Sequence, residues 1–353
     1  MYSRRDSFSH KDKKFMKLAI NLARNHYGYT GSNPSVGCLV VKKNKILSFG
    51  VTSKNGRPHA ENQALKKNIN FKGATMYVTL EPCTHYGKTP PCTGLIVKSK
   101  IKKVIYSIDD TDQRTAGKAK KILKSKKILV RTGLLKNEAK LLYNDYNYVK
   151  LNKIPYIIGK LACSKNNLIF KNNTKITNNY SNAVSHIFRS RCDAILTSSK
   201  TVNIDNPSLT CRLPGMENMS PKRIILDAKL QIKLSSYVVK NCKNPKTIII
   251  HSSTNINKIN ILKKLGVQMI FVKSLKNNYF DLKKVFKKLY SIGVYRIIAE
   301  FGKNLTMAMI NKNMFNEFYL FKSNQTLTKN NTIDVTSIIK KLRYIYKRKH
   351  NIN

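Results

Sequence analysis

Four side chains, His59, Glu61, Cys83 and Cys92, are of the types and in the order that could bind a metal and move a proton. They lie in RPHAENQALKK, a short connection, and ATMYVTLEPCTHYGKTPPCTG. Zinc favours nitrogen and thiolate sulfur, and takes three protein ligands where one position must stay open for water. His59, Cys83 and Cys92 can supply those three. A water at the open position loses its proton near neutral pH. Glu61, two residues after His59, is placed to carry that proton to a leaving amine. A His, two Cys and a non-ligand Glu are the set with which zinc sites deaminate bases. Isolated His and Cys residues are more often core or surface positions; here four occur in order, each near an expected helix start.

The elements around them follow from local chemistry. Pro58 suits a helix opening, because its missing N–H would be unpaired there. His59 and Glu61 would then project from the first turn of a helix running to about Lys67. TMYVTL alternates and is rich in β-formers, which predicts a strand over Thr75–Leu80. That strand delivers Glu81, Pro82 and Cys83 to a turn beside a second helix start near Pro91–Lys98. Helix N-termini favour thiolate over thiol, which suits metal binding at both cysteines.

The chain has 353 residues, enough for two domains. Its 67 Lys+Arg against 17 Asp+Glu give a formal charge of +50. The basic residues are scattered among Asn and Ile through both halves, as a compositional bias would leave them, rather than gathered into a nucleic-acid stripe. No nucleic-acid partner is expected, but anionic, phosphorylated ligands would be attracted. Seven cysteines, odd in number and widely spaced, do not form a disulfide framework, and thiolate metal ligands fit a reducing compartment. The N-terminal segment lacks the apolar core of a secretory signal, and no run reaches the roughly 18 apolar residues of a membrane span. A cytoplasmic protein without a membrane partner is expected, free to self-associate as a homo-oligomer.

Taken in order, residues 1–11 read as polar and disordered, and Lys13–Asn25 as a helix. Two strands follow around a Lys43-Asn44 turn. After the Cys-containing stretch come a strand at Lys102–Ile108, a helix at Gly117–Ser125, a short strand at Lys126–Val130 and one helix from Asn137 to Tyr148. This is a layered α/β domain over residues 1–150. Asn152-Lys153-Ile154-Pro155 reads as a boundary, and the pattern restarts over 154–353. PYIIGKLAC, DAILTSS, KRIILDA, KTIIIHSS, VQMIFV, YRIIAEFG and EFYLFK read as strands. Asn182–Arg191 reads as a helix, the basic C-terminal tail as a solvated terminus more than as a fraying final helix, and Asn172–Asn179 as a polar loop. The order of the later strands does not follow from the sequence.

NPSVG (33–37), PHAE (58–61), TLEPCTHYGKTPPC (79–92) and DAILTSSKTVNIDNPSLTCR (193–212) together resemble the bifunctional deaminase/reductases of riboflavin biosynthesis, over most of the chain. Nucleic-acid-base deaminases usually place their cysteines as Cys-x-x-Cys; the wider spacing of Cys83 and Cys92 is similar to the riboflavin family. The resemblance implies a cytidine-deaminase-like three-layer domain followed by a dihydrofolate-reductase-like α/β domain. It implies zinc-dependent removal of the ring 2-amino group from a diaminopyrimidinone bearing a ribosylamino 5′-phosphate. NADPH-dependent reduction of the ribosyl group to a ribityl chain would follow. It further implies that Asn33, His85 and Lys88 contact the first substrate. Ala162, Thr201, Asp205 and Gly302, Lys303, Asn304 and Leu305 would bind NADPH. Arg189, Leu209, Arg212 and Glu300 would face the second substrate.

The departures lie in the second half. The family's Ser-Leu-Asp-Gly-Arg is here Ser164-Lys165-Asn166-Asn167-Leu168. Its Trp-bearing loop is a shortened stretch ending Lys175-Ile176-Thr177, and the chain has no Trp. A family glycine is Phe301. Two alternatives therefore stay open: a deaminase whose second domain has degenerated, and a base deaminase that uses the +50 charge to bind tRNA.

Overall fold

A computed structural model describes residues 8–66, 68–170, 176–275, 279–345 and 351–352. The chain divides into two compact units, Met1–Lys153 and Ile154–Asn353.

The first unit is built from α1 (His10–Asn25), β1 (Gly37–Lys42), β2 (Lys45–Val51), α2 (Ala60–Leu65), β3 (Thr75–Leu80), α3 (Cys92–Lys98), β4 (Lys103–Ile108), α4 (Lys118–Ser125), β5 (Leu129–Thr132), α5 (Lys136–Leu142) and α6 (Asn144–Asn152). The sheet order is β2-β1-β3-β4-β5, antiparallel as far as β3 and parallel beyond it. Strand alternation sorts the core into two faces. Leu39, Val41, Tyr77 and Ile105 meet Met16, Ala19 and Ile20 of α1. Cys38, Val40, Met76, Val78, Val104 and Tyr106 face the other way, onto Ala60, Ala64, Ile96 and Leu123 of α2, α3 and α4. Helices on both faces make the three layers.

Two expectations change here. The segment read as disordered up to residue 11 already contains the helix start. Ser9 and Asp12 form a reciprocal capping box, and Tyr77 donates to Asp12 at 2.7 Å. The single helix expected from Asn137 to Tyr148 is two, broken at Tyr143. The buried Tyr143 hydroxyl pairs with Thr79 Oγ1 at 2.5 Å and donates to the carbonyl of Ser35 at 3.1 Å, which anchors the chain at the break.

The second unit runs β6 (Tyr156–Cys163), β7 (Leu168–Phe170), α7 (Asn179–Ser190), β8 (Ala194–Ser198), α8 (Ser199–Asp205), β9 (Lys222–Leu226), α9 (Tyr237–Lys240), β10 (Thr247–His251), α10 (Ile256–Lys264), β11 (Gln268–Phe271), α11 (Leu282–Ser291), β12 (Arg296–Ala299), α12 (Lys303–Asn311), β13 (Glu317–Lys322), β14 (Thr332–Asp334), α13 (Thr336–Ile345) and the two-residue β15 (Asn351–Ile352). The main sheet is parallel, in the order β11-β10-β9-β8-β12-β6-β13-β15, and β7 pairs with β14 apart from it. A late strand, β12, is thus inserted between the early strands β8 and β6. In open parallel sheets ligands bind beyond the carboxyl ends of strands where the strand order reverses. Asn179, expected in the polar loop, opens α7 with Asn178 as its cap; Lys175 lies outside the described residues.

Candidate active sites

Gly50 of β2 sets the first site. A Cβ there would collide with the carbonyl of Ala60, so only glycine lets α2 lie directly on the sheet. His59 is the N-cap of α2, with extended backbone, and Pro58 precedes the cap instead of opening the helix. The helix ends at Leu65, and Lys67 lies outside the described residues. Cys92 is the first residue of α3, and its main-chain N–H donates to Cys83 Sγ at 3.3 Å. The N-terminus of α3 therefore serves the Cys83 sulfur directly.

His59 Nδ1 lies 3.6 Å from Cys83 Sγ and 3.5 Å from Cys92 Sγ. All three donor atoms fall within 4.8 Å of one another. A tetrahedral zinc with bonds of about 2.3 Å to sulfur and about 2.05 Å to nitrogen needs an N···S edge of about 3.6 Å. The donor set fits that metal in type, number and spacing. Hydrogen bonding between the two cysteines holds the Cys83 thiol down at about 4 and pushes Cys92 up; desolvation adds to the rise at Cys92. A dication deprotonates coordinating thiols outright. Glu61 is buried and borders Cys92. Burial raises its carboxyl to about 7, with the Cys83 thiolate adding to the rise. A bound cation would draw it lower, so the group can both accept and return a proton.

The residues expected around the ring occupy two neighbouring loops. Asn33 Nδ2 donates to the carbonyl of Gly56 at 2.8 Å, which orients the amide. Gly56 has a φ of +88°, and a Cβ there would strike Asn33. His85 Nδ1 meets Thr115 Oγ1 at 3.2 Å, while Lys88 is exposed. Arg57 Nη1 donates to Thr89 Oγ1 at 2.6 Å, tying the segment before His59 to the loop between the cysteines. Glu81 went unassigned in the sequence. It is buried and accepts main-chain N–H groups from Asp110 at 3.1 Å, Gly117 at 2.9 Å and Ala119 at 2.9 Å. That grip holds the segment carrying Thr115 against His85. An acid at the end of an apolar strand, which must find partners when buried, was the available signal.

In the second unit, Ala162 lies near the carboxyl end of β6, Thr201 and Asp205 on α8 just after β8, and Gly302–Leu305 just after β12. Since β8, β12 and β6 are adjacent, one end of the sheet gathers every expected cofactor residue. Gly302 caps α12, offering its first main-chain N–H groups, and an added Cβ there would meet nothing within 4 Å. Burial raises the Asp205 carboxyl.

The expected substrate residues are engaged with the chain itself. Arg189 grips Glu300 with both arms, Nε to Oε1 at 2.9 Å and Nη2 to Oε2 at 2.8 Å, and its Nη1 donates to the carbonyl of Thr210 at 3.1 Å. Burial alone would raise Glu300, but the charges of Arg189 and Lys160 override it and hold the carboxyl at about 2. Lys160, also unassigned from sequence, completes this cluster from β6; an ammonium inside YIIGKLAC marks it. Arg212 is exposed, with Nη1 donating to Ser208 Oγ at 2.6 Å. Leu209 is buried, with a φ of 53°.

The departures are accommodated. Asn167 takes a φ of 63° in the family glycine's place, a conformation Asn tolerates, and the turn closes through Asn167 N to the carbonyl of Ser164 at 3.0 Å. Phe301 is turned into the core, 6.4 Å between ring centroids from Phe315.

Comparison with known proteins agrees with both halves. Residues 9–108 match the cytidine and deoxycytidylate deaminase zinc-binding region, and residues 169–327 match the RibD C-terminal domain. The riboflavin biosynthesis protein RibD of Aquifex aeolicus is 38% identical over 88% of this chain and 86% of its own length. That of Bacillus amyloliquefaciens is 34% identical over 88% and 84%. Among solved structures, Acinetobacter baumannii RibD superposes with a TM-score of 0.80 at 29% identity, covering 92% of this chain and 90% of that one. A Thermotoga maritima protein described as a diaminohydroxyphosphoribosylaminopyrimidine deaminase/5-amino-6-(5-phosphoribosylamino)uracil reductase gives 0.78 at 28% identity, covering 93% and 90%. The chain belongs to the RibD family of riboflavin biosynthesis, bifunctional enzymes that join a zinc-dependent deaminase to an NADPH-dependent reductase.

Proposed function

We propose that residues 1–150 deaminate a diaminopyrimidinone carrying a ribosylamino 5′-phosphate and that residues 154–353 then reduce its ribosyl group to a ribityl chain. The observation that carries the first step is the N,S,S donor set with N···S spacings of 3.5 and 3.6 Å beside a buried glutamate. His59, Cys83 and Cys92 hold the zinc, which when bound supplies an acidified water. Glu61 takes the proton from the attacking water and delivers it to the departing amine, so that ammonia leaves. Asn33 and His85 orient the ring, and Lys88 draws in the phosphate.

In the second unit NADPH supplies the hydride. Ala162, being small, lets the nicotinamide approach the backbone of β6. Thr201, Asp205 and the N-terminus of α12 at Gly302, Lys303, Asn304 and Leu305 hold the rest of the cofactor, its phosphates at the helix end. Leu209, Arg212, Glu300 and Arg189 receive the deaminated substrate, the guanidinium groups suiting its phosphate. No nucleic acid is needed, because the basic residues are scattered and a small phosphorylated substrate uses the attraction they create. The protein works in the cytoplasm, where thiolate ligands stay reduced, and is free to form a homo-oligomer. Among the described residues no helix is long and apolar enough to cross a membrane.

The test is Glu61→Gln. The variant should keep one zinc per chain and lose about 10²–10⁴-fold in ammonia release, the usual worth of general acid–base catalysis. A rate within about threefold of the parent would assign the proton to another group.

A further inference from the structure

Arg223 is fully buried on β9, between Ile195 of β8 and Thr247 of β10. Among the described residues it forms no ion pair. Its Nε donates to the carbonyl of Ser208 at 2.8 Å, and its Nη1 donates to the carbonyls of Asn241 at 2.7 Å and Pro245 at 3.1 Å. Burying a cation without a carboxylate is costly. The next three residues of the strand, Ile224, Ile225 and Leu226, are apolar and buried, so packing alone calls for no charge here.

The segment it grips needs an external hold. Asn206 and Leu209 both sit at left-handed φ, 42° and 53°, on either side of Pro207 and Ser208. Such conformations persist in non-glycine residues where the surroundings over-determine them. The Arg223–Ser208 bond fixes the peptide directly before Leu209. Ser208 Oγ in turn accepts from Arg212 Nη1 at 2.6 Å, and the carbonyl of Thr210 accepts from Arg189.

We propose that Arg223 is a positioning residue for the reductase substrate, anchoring the 206–212 loop so that Leu209 and Arg212 present themselves correctly. This rests on the reading that Leu209 and Arg212 face that substrate.

The experiment uses the full chain and measures NADPH oxidation against concentration of the deaminated substrate, with ammonia release from the first substrate as internal control. Arg223→Lys reaches fewer carbonyls and should raise KM about tenfold, the worth of one charge-assisted hydrogen bond, with kcat and deaminase activity unchanged. Arg223→Met should raise KM further. Ser208→Ala, which removes only the Oγ link to Arg212, should raise it by about threefold and carries the test if the Met variant fails to fold. A role limited to holding the fold would lower kcat with the folded fraction and leave KM alone; that result overturns the proposal. Arg212→Ala separates the two levels. Should it raise KM while the Arg223 and Ser208 variants behave as the parent, the anchoring role is wrong and the substrate reading stands. Should it leave KM unchanged, the substrate reading falls and the proposal with it.

Discussion

The two units build their sites in opposite ways. In the first, the candidate groups lie between His59 and Cys92, delivered by two helix starts and the strand between them, and the donor atoms of His59, Cys83 and Cys92 come within 4.8 Å of one another. In the second, the groups run from Ala162 to Leu305 and are gathered by strand order, with β12 inserted between β8 and β6. Their charges pair with one another or hold backbone carbonyls, as Arg189 does with Glu300 and Thr210. A site made of one local stretch tolerates little change, since each residue in it has a proposed role as ligand or proton carrier. A site made by topology tolerates more. The turn at Asn167 and the inward Phe301 show departures absorbed without loss of the sheet end.

Cys92→Ser is the largest perturbation that follows. It should cost the first unit its zinc and reduce ammonia release to background, while NADPH oxidation with pre-deaminated substrate continues at the parental rate. Metal analysis and the two assays check this; full zinc together with full deaminase activity would remove Cys92 from the ligand set.

Arg189→Met should act on the second unit alone. It leaves Glu300 buried without its bidentate partner, a loss of roughly 3–5 kcal/mol in stability. Denaturant unfolding measures it, and ammonia release under native conditions should not change.

Acid should produce a smaller version of the same effect. Glu300 has a folded value of about 2 against an ordinary 4.5, so its contribution is fully present above about pH 4.5 and is lost as pH falls toward 2. The whole gap is worth on the order of 3 kcal/mol, and roughly half of it should be gone by pH 3. In a double comparison, Arg189→Met should flatten this part of the stability–pH profile; an unchanged slope would assign acid sensitivity elsewhere.

This contrast also explains what could be read in advance. The zinc set was legible because its chemistry is written in one stretch, and PYIIGKLAC is legible as β6 because its apolar run is bounded by Pro155 and the polar turn after Cys163. The Lys43-Asn44 turn is equally plain, both residues taking positive φ between β1 and β2. The break at Tyr143 was not legible, since it depends on Thr79 and Ser35, distant in sequence. Nor was the Arg189–Glu300 pair, whose members are separated by five strands. Charges inside apolar strands, Lys160 and Arg223, were visible, but their partners are set only by the sheet order.

The central claim is that one chain carries both reactions in succession. A coupled assay with the diaminopyrimidinone phosphate tests it, run with and without NADPH. Ammonia release should proceed without NADPH, and added NADPH should be oxidised in step with the deaminated product. Ammonia release with neither NADPH oxidation nor NADPH binding by titration would contradict the account and leave a deaminase alone.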